Sequence, residues 1–277
     1  MWTDLGDGAE LAPAKVNLTL HVTGRRPDGY HMLDSFVVFP RVGDVLRYEP
    51  SSRLGLTLGG PFGIDLASDA DNLVVQAAEF MGSKGALHLD KRLPLTSGIG
   101  GGSSDAAAVL RLLARETGLP MPADVVSLGA DVPVCINPVP QRMSGIGEVI
   151  TPLAGVPPHW MVLVNPGVAV STPEVFRGLE QVHNAPCDPW PELRDAESLA
   201  GFLATQRNDL KAPAKLLCPV ISECLDALTQ ADALLARMSG SGATTYGIFA
   251  SESAALRAAD RIRSNAPKWW VAAAPVN

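Results

Sequence analysis

Between Pro94 and Ala107 the chain reads Pro-Leu-Thr-Ser-Gly-Ile-Gly-Gly-Gly-Ser-Ser-Asp-Ala-Ala. Glycines at 98, 100, 101 and 102 let a backbone turn tightly and approach a ligand closely. The stretch runs straight into a helix predicted over 103–116. The first N–H groups of a helix lack partners and, with the helix dipole, attract an anion. Gly and Ser donors at such a place suit the phosphates of a nucleotide. Two familiar phosphate motifs fail here on spacing. A P-loop ends in Gly-Lys-Ser/Thr, whereas Gly102 is followed by Ser103-Ser104. A dinucleotide fingerprint begun at Gly98 needs glycine at position 103, which is serine.

Further residues could do chemistry. Lys15 and Asn17 stand two apart at the start of a predicted strand and so point the same way. Asp131 lies in Gly129-Ala130-Asp131-Val132-Pro133. A carboxylate and an ammonium can manage the proton of a reacting hydroxyl. Read locally, Lys15 also fits a solvated strand end and Asp131 a helix cap, and both readings stay open at this point. Tyr30 follows a glycine turn and is expected to be exposed enough to stack on a flat ring. Phe176 falls in the first turn of a predicted helix, where a core-facing role is the alternative. Ser239-Gly240-Ser241-Gly242 is a second glycine-rich loop, which taken alone would be only a turn.

Composition limits what these residues can serve. The 277 residues suggest two domains or one large one. With 22 Lys+Arg against 29 Asp+Glu, the formal charge of −7 argues against a nucleic-acid partner, whose binding would need a basic surface. Cys135, Cys187, Cys218 and Cys224 show no C-x-x-C spacing and are expected to be reduced, packed thiols. The histidines form no H-x-x-x-H pair, so no structural metal is expected. No apolar run reaches the ~18 residues of a membrane span. The acidic start, Met1–Asp7, reads as neither signal nor transit peptide. The expectation is a cytoplasmic protein without membrane contact.

The elements that must position these residues alternate along the chain. Val16, Leu18, Leu20 and Val22 alternate with Asn17, Thr19 and His21, which predicts a half-buried strand over 16–22. Strands are also expected at 35–39, 44–48, 87–90, 160–164, 244–249 and 269–274. Helices are expected at 71–81 with Asp71 or Asn72 as cap, at 103–116 closed by Gly118, and from Thr172-Pro173 with Thr172 as cap. Two more are expected near 213–230 and 252–264. The interleaving predicts an α/β (α+β) chain. The Pro/Gly-rich segment 152–158 suggests a boundary between domains at 1–155 and 156–277.

The phosphate-loop segment resembles that of the GHMP kinase superfamily. Further segments are similar to the branch that acts on a cytidyl diphosphate sugar alcohol: Ala12–Leu18, Gly24-Arg25-Arg26-Pro27-Asp28-Gly29-Tyr30-His31, Leu128–Pro133, Gly145-Ile146-Gly147-Glu148 and Arg237–Gly242. They stand in the family's order and span nearly the whole chain. The resemblance implies a two-domain architecture with the active site in the interdomain cleft, and ATP-dependent phosphorylation of a substrate 2-hydroxyl in the non-mevalonate isoprenoid pathway. It implies ATP bound by Pro94, Leu95, Thr96, Ser97, Gly98, Ile99, Gly100, Gly101, Gly102, Ser103 and Ser104. Mg2+ would arrive on the nucleotide, with Ser104 as its protein contact. Lys15 and Asp131 would be the catalytic pair: Asp131 accepts the hydroxyl proton, and Lys15 keeps Asp131 ionised and acidifies the hydroxyl. Tyr30 and Phe176 would sandwich the cytosine, His31 would read its edge, and Asn17 and Thr172 would hold the other end. Gly240, Ser241 and Gly242, counted with the substrate-binding residues, would close on the phosphates from the other side. A monomer or weak homodimer is expected. The stretches 53–71 and 111–129 are short for the family, and Cys135 stands where an aromatic is common. Two alternatives are a homoserine- or mevalonate-type kinase, which would have no base to stack on Tyr30, and a non-catalytic nucleotide-binding regulator, which should have lost Lys15 and Asp131.

Overall fold

The computed structural model describes residues 5, 6 and 8–276. Most of the acidic Met1–Asp7 segment lies outside the described residues. The chain forms two compact units, each assembled from separate stretches. One takes the residues up to Lys15, Gly43–Leu95 and Gly100–Pro138. The other takes Val16–Val42, Thr96–Ile99 and the chain from Val139 on. The Pro/Gly-rich segment 152–158 therefore lies wholly inside the second unit.

The first unit is built on a four-stranded sheet in the order β1 (Ala9–Pro13), β5 (Gly43–Glu49), β7 (Ala86–Asp90), β6 (Gly55–Gly59). β1, β5 and β7 pair antiparallel, while β6 and β7 run parallel, joined through helix α1 (Leu73–Phe80). Helix α2 (Gly101–Thr117) packs on β1, β5, α1 and α3 (Val132–Ile136), burying Ala106–Leu110, Leu112 and Leu113. α1 starts as expected, with the Asn72 side chain accepting from Val74 N–H at 2.9 Å. α2 starts two residues before the predicted Ser103. Its cap is Gly100 in the left-handed region at φ +62°, with no side-chain cap, so two of the loop's glycines form its first turn. It ends as predicted on Gly118 at φ +72°.

The second unit holds two sheets. One has the order β2 (Val16–Asn17), β4 (His31–Val38), β8 (Gln141–Gly145), β9 (Val149–Pro152), with β3 (His21–Arg25) also paired to β4. The other has the antiparallel order β11 (Leu235–Met238), β12 (Thr245–Phe249), β10 (His159–Asn165), β13 (Trp270–Val276). Helices α7 (Val220–Gln230) and α8 (Glu252–Asn265) pack on this second sheet around Val162, Val164, Leu228, Phe249, Ala259 and Ile262. Among the described residues the remaining α-helices are α4 (Thr172–Arg177), α5 (Ala196–Thr205) and α6 (Lys211–Leu217).

Three local expectations are corrected. The single strand over 16–22 is two strands with a break at 18–20, and both of its faces are buried. Its polar face is covered because it finds polar partners. Asn17 Nδ2 donates to Ser35 Oγ at 2.8 Å, Thr19 Oγ1 accepts from Phe36 N at 2.9 Å, and His21 Nε2 accepts from Arg207 N at 3.0 Å. Helix 213–230 is two helices, because Pro219 disfavours helical geometry at Cys218. Thr172 is the first residue of α4 rather than its cap, which is Ser171 without a side-chain bond. All four cysteines are free and buried.

Candidate active site

In the first unit, Lys15 follows β1 and Asp131 precedes α3. Lys15 Nζ lies 2.8 Å from Asp131 Oδ1. The lysine side chain is 5% exposed and the aspartate side chain 37%, so the pair has a dry side and a wet side. Asp131 occupies the cap position of α3 but makes no capping bond; its carboxylate is given to Lys15. Room for Lys15 comes from Gly100: a Cβ there would sit 3.3 Å from the Lys15 Cβ, and the φ of +62° disfavours any other residue. Burial pushes the neighbouring Cys135 thiol up to about 12, so it stays protonated.

The same unit supplies the start of α2. The N–H groups of Gly100, Gly101, Gly102 and Ser103 donate to no group among the described residues. Ser104 N–H closes the first turn onto Gly100 O, and its hydroxyl donates to Pro13 O at 2.7 Å. Ser104 is fully buried, and with its proton given to Pro13 O its hydroxyl has only lone pairs to offer a cation. Behind the first turn lies a charge cluster that sequence reading missed. Lys91 Nζ meets Asp44 Oδ2 at 2.5 Å and Asp105 Oδ2 at 2.6 Å, and all three side chains are buried. Asp44 Oδ1 also accepts from the N–H groups of Arg92 and Leu93 at 2.6 and 2.8 Å. A Cβ on Gly101 would stand 3.1 Å from Lys91 Nζ, so the ammonium reaches up to the helix's first turn. Burial works against charged Lys91, but the charges of Asp105 and Asp44 outweigh it and hold its pKa above the usual value. Burial, with help from the Asp44 charge, raises the Asp105 carboxyl well above the carboxylate range against the pull of Lys91. In the sequence nothing singles out Lys91, and Asp105 reads only as part of a helix start. Only their convergence gives them away.

In the second unit, Thr96–Ile99 carries the other half of the loop. Ile99 is fully buried. Among the described residues the N–H groups of Gly98 and Ile99 have no acceptor. Gly98, at φ +73°, packs backbone against backbone on the second glycine loop: a Cβ would lie 2.6 Å from Gly242 O and 2.7 Å from Ser239 O. Ser239 Oγ donates to Gly98 O at 3.0 Å and accepts from Asn17 N at 3.1 Å. Thr172 Oγ1 and Ser241 Oγ are 2.8 Å apart. Asn17, Gly98, the 239–242 loop and Thr172 are therefore linked by direct contacts.

The aromatic residues are arranged differently from the expected sandwich. His31 and Phe176 stack directly, with ring centroids 4.8 Å apart and planes at 24°. Tyr30 stands outside that stack, 59% exposed on a turn fixed by Gly29 at φ +93° and by Tyr30 N–H donating to Asp28 Oδ1. Phe176 also packs on the cluster around Leu20, Val22 and Val175. Burial, and then the Arg25 charge, lower the His31 pKa, which keeps the imidazole neutral near pH 7.

With this geometry in view, known proteins can be compared. The family model described as GHMP kinases N terminal domain matches residues 72–146, and that described as GHMP kinases C terminal matches 191–268. The fold is shared with a homoserine kinase from Cytophaga hutchinsonii (16% identity, TM-score 0.61, covering 100% of this chain and 97% of that one). The fold and the glycine-rich helix start thus define the class as a GHMP kinase. A 4-diphosphocytidyl-2-C-methyl-D-erythritol kinase from Cereibacter sphaeroides is 56% identical, covering 95% of this chain and 97% of that protein. One of the same name from Paracoccus denitrificans is 53% identical, covering 95% of each. A solved structure of a 4-(cytidine 5'-diphospho)-2C-methyl-D-erythritol kinase is 35% identical, with a TM-score of 0.76, over 97% of this chain and 99% of that one. The chain belongs to the 4-diphosphocytidyl-2-C-methyl-D-erythritol kinase family, within the GHMP kinases.

Proposed function

We propose that this protein transfers the γ-phosphoryl group of ATP to the 2-hydroxyl of 4-diphosphocytidyl-2-C-methyl-D-erythritol. The observation that carries the reading is the 2.8 Å Lys15–Asp131 pair, with Gly100 at the start of α2 packed against the lysine. Phosphoryl transfer asks a protein mainly for positioning and charge stabilisation. Asp131 accepts the hydroxyl proton as the substrate oxygen bonds to the γ-phosphorus, and the bond to the β-phosphate oxygen breaks to release ADP. Lys15, fixed by its buried stem, balances the negative charge on that oxygen and holds the carboxylate in place.

The assignments that follow are part of the same proposal. The unpaired N–H groups from Gly98 to Ser103 take the nucleotide phosphates, supported by the flanking residues from Pro94 to Ser97. Tyr30 and Phe176 hold the cytosine and His31 reads its edge; the His31–Phe176 stack opens to admit the base. Asn17, Thr172, Gly240, Ser241 and Gly242 hold the rest of the substrate. Among the described residues no group of three or more His, Cys, Asp or Glu could hold a metal. Mg2+ would be carried by the nucleotide's own oxygens with few protein donors, of which the Ser104 hydroxyl is one. Bound there, Mg2+ would neutralise phosphate charge. Among the described residues no helix is long and apolar enough to cross a membrane, and the site chemistry calls for a small soluble substrate. The cytoplasm and a monomer or weak homodimer complete the reading.

The test is ATP consumption by the purified protein with and without the cytidyl substrate. ADP release that depends on that substrate supports the reading. Substrate-independent release, or release driven by homoserine or mevalonate, refutes it.

A further inference from the structure

The second glycine-rich loop rests on a support that its own sequence does not announce. Asn208 lies in Gln206-Arg207-Asn208-Asp209-Leu210, just before α6. Its Nδ2 donates to Met238 O and to Gly240 O, both at 2.9 Å, and its Oδ1 accepts from Leu210 N at 3.0 Å. Both amide donors are therefore spent on the loop. The backbone around Asn208 is pinned to the strand break that follows Asn17. Leu20 N donates to Arg207 O at 2.9 Å, Asp209 N donates to Leu20 O at 2.8 Å, and Val22 N donates to Asp209 Oδ2 at 2.8 Å.

A trans peptide points its N–H opposite to its C=O. With Gly240 O held by Asn208, the N–H of Ser241 faces away from Asn208. Gly240 and Ser241 are buried, yet their N–H groups donate to no group among the described residues. Buried backbone donors without partners are rare and costly, so a ligand acceptor would complete them. We propose that Asn208 is a positioning residue for the phosphoryl acceptor: by clamping the peptides at 238–239 and 240–241 it fixes the Ser241 N–H directly and the Gly240 N–H through the peptide held between them, ready for an oxygen of the cytidyl substrate. The proposal rests on the reading that this loop meets that substrate.

The test uses Asn208→Ala and Asn208→Asp, with circular dichroism and thermal unfolding confirming the fold. Losing the clamp is expected to raise KM for the cytidyl substrate about tenfold or more and leave KM for ATP within about twofold. In Asn208→Asp a carboxylate faces two carbonyls, so its defect should shrink as pH falls and the carboxyl regains a proton to donate. If Asn208→Ala does not fold, Asn208→Ser, which keeps one donor, takes its place. In parallel, hydrogen exchange on the wild-type protein should show the Gly240 and Ser241 amides protected by the cytidyl substrate. Protection in the wild type with unchanged KM in the variants, or equal rises in both KM values, overturns the role of Asn208. No protection in the wild type overturns the substrate reading of the loop, and this proposal with it.

Discussion

The 2.8 Å contact between Lys15 and Asp131 sets the sharpest expectations for single residues. Asp131→Asn keeps the shape of the side chain but loses its charge and its capacity as a base. Turnover is expected to fall by about 10²–10⁴, with ATP affinity by calorimetry nearly unchanged. Near-normal turnover would remove Asp131 from the reaction. At the aromatic end, Tyr30→Ala and Phe176→Ala should each raise KM for the cytidyl substrate. A lost stacking interaction of about 1–3 kcal/mol corresponds to roughly 5- to 150-fold. If both rings hold one base, the double variant loses less than the sum of the two. Phe176→Ala also frees His31 from its stack, so the two variants should differ in the pH dependence of that KM. A rise in KM for ATP instead would mean that the two ligands had been placed the wrong way round.

At the scale of an element, the first turn of α2 depends on the charge cluster packed behind it. Lys91→Met leaves the buried Asp44 and Asp105 facing one another. Breaking a buried pair in this way costs about 3–5 kcal/mol, to be read from denaturant unfolding. Asp105→Asn is the opposite case. The folded-state pKa of Asp105 is raised, so the folded chain binds more protons than the unfolded chain between the two values. The stability this group contributes is full below its unfolded pKa and is lost as pH rises through the folded one. The slope of stability with pH that this group gives the wild type is therefore expected to be missing from Asp105→Asn. Parallel stability curves for the two proteins would be the contrary result. Gly101→Val, whose Cβ would press on Lys91 Nζ from 3.1 Å, should weaken ATP binding far more than cytidyl-substrate binding.

For the molecule as a whole, the expectation is selectivity among acceptors that share the GHMP fold. Homoserine and mevalonate carry no base for Tyr30 and Phe176 to stack on. Only the cytidyl substrate should therefore sustain ATP turnover when the three are assayed side by side at equal concentration. The two compact units each draw on distant parts of the chain. The chain passes from one unit to the other at Lys15, Val42, Leu95, Ile99 and Pro138, so the glycine-rich loop itself is divided between them. A boundary sought in local composition, such as the prolines at 152–158, has no way to reveal that interleaving. It is a property of long-range pairing, such as β1 with β5 and β2 with β4.

Short-range physics made much of this protein legible from its residues alone. Glycines at 98–102 ahead of a helix, Asn72 as a cap, Gly118 as a stop and the apolar runs of β10 and β12 each act through neighbouring backbone. Their patterns survive as sequence. The ordered motifs from Ala12 to Gly242 likewise carried the family. Tertiary structure alone decided what depends on which groups meet. Lys91 is buried because two carboxylates from separate stretches close around it. The polar face of 16–22 looked exposed until Ser35, Phe36 and Arg207 supplied its partners. Asn208 takes its role from the carbonyls of Met238 and Gly240, thirty and more residues away. A polar side chain is buried only when its partners arrive from elsewhere in the chain, and neither composition nor periodicity records where those partners are.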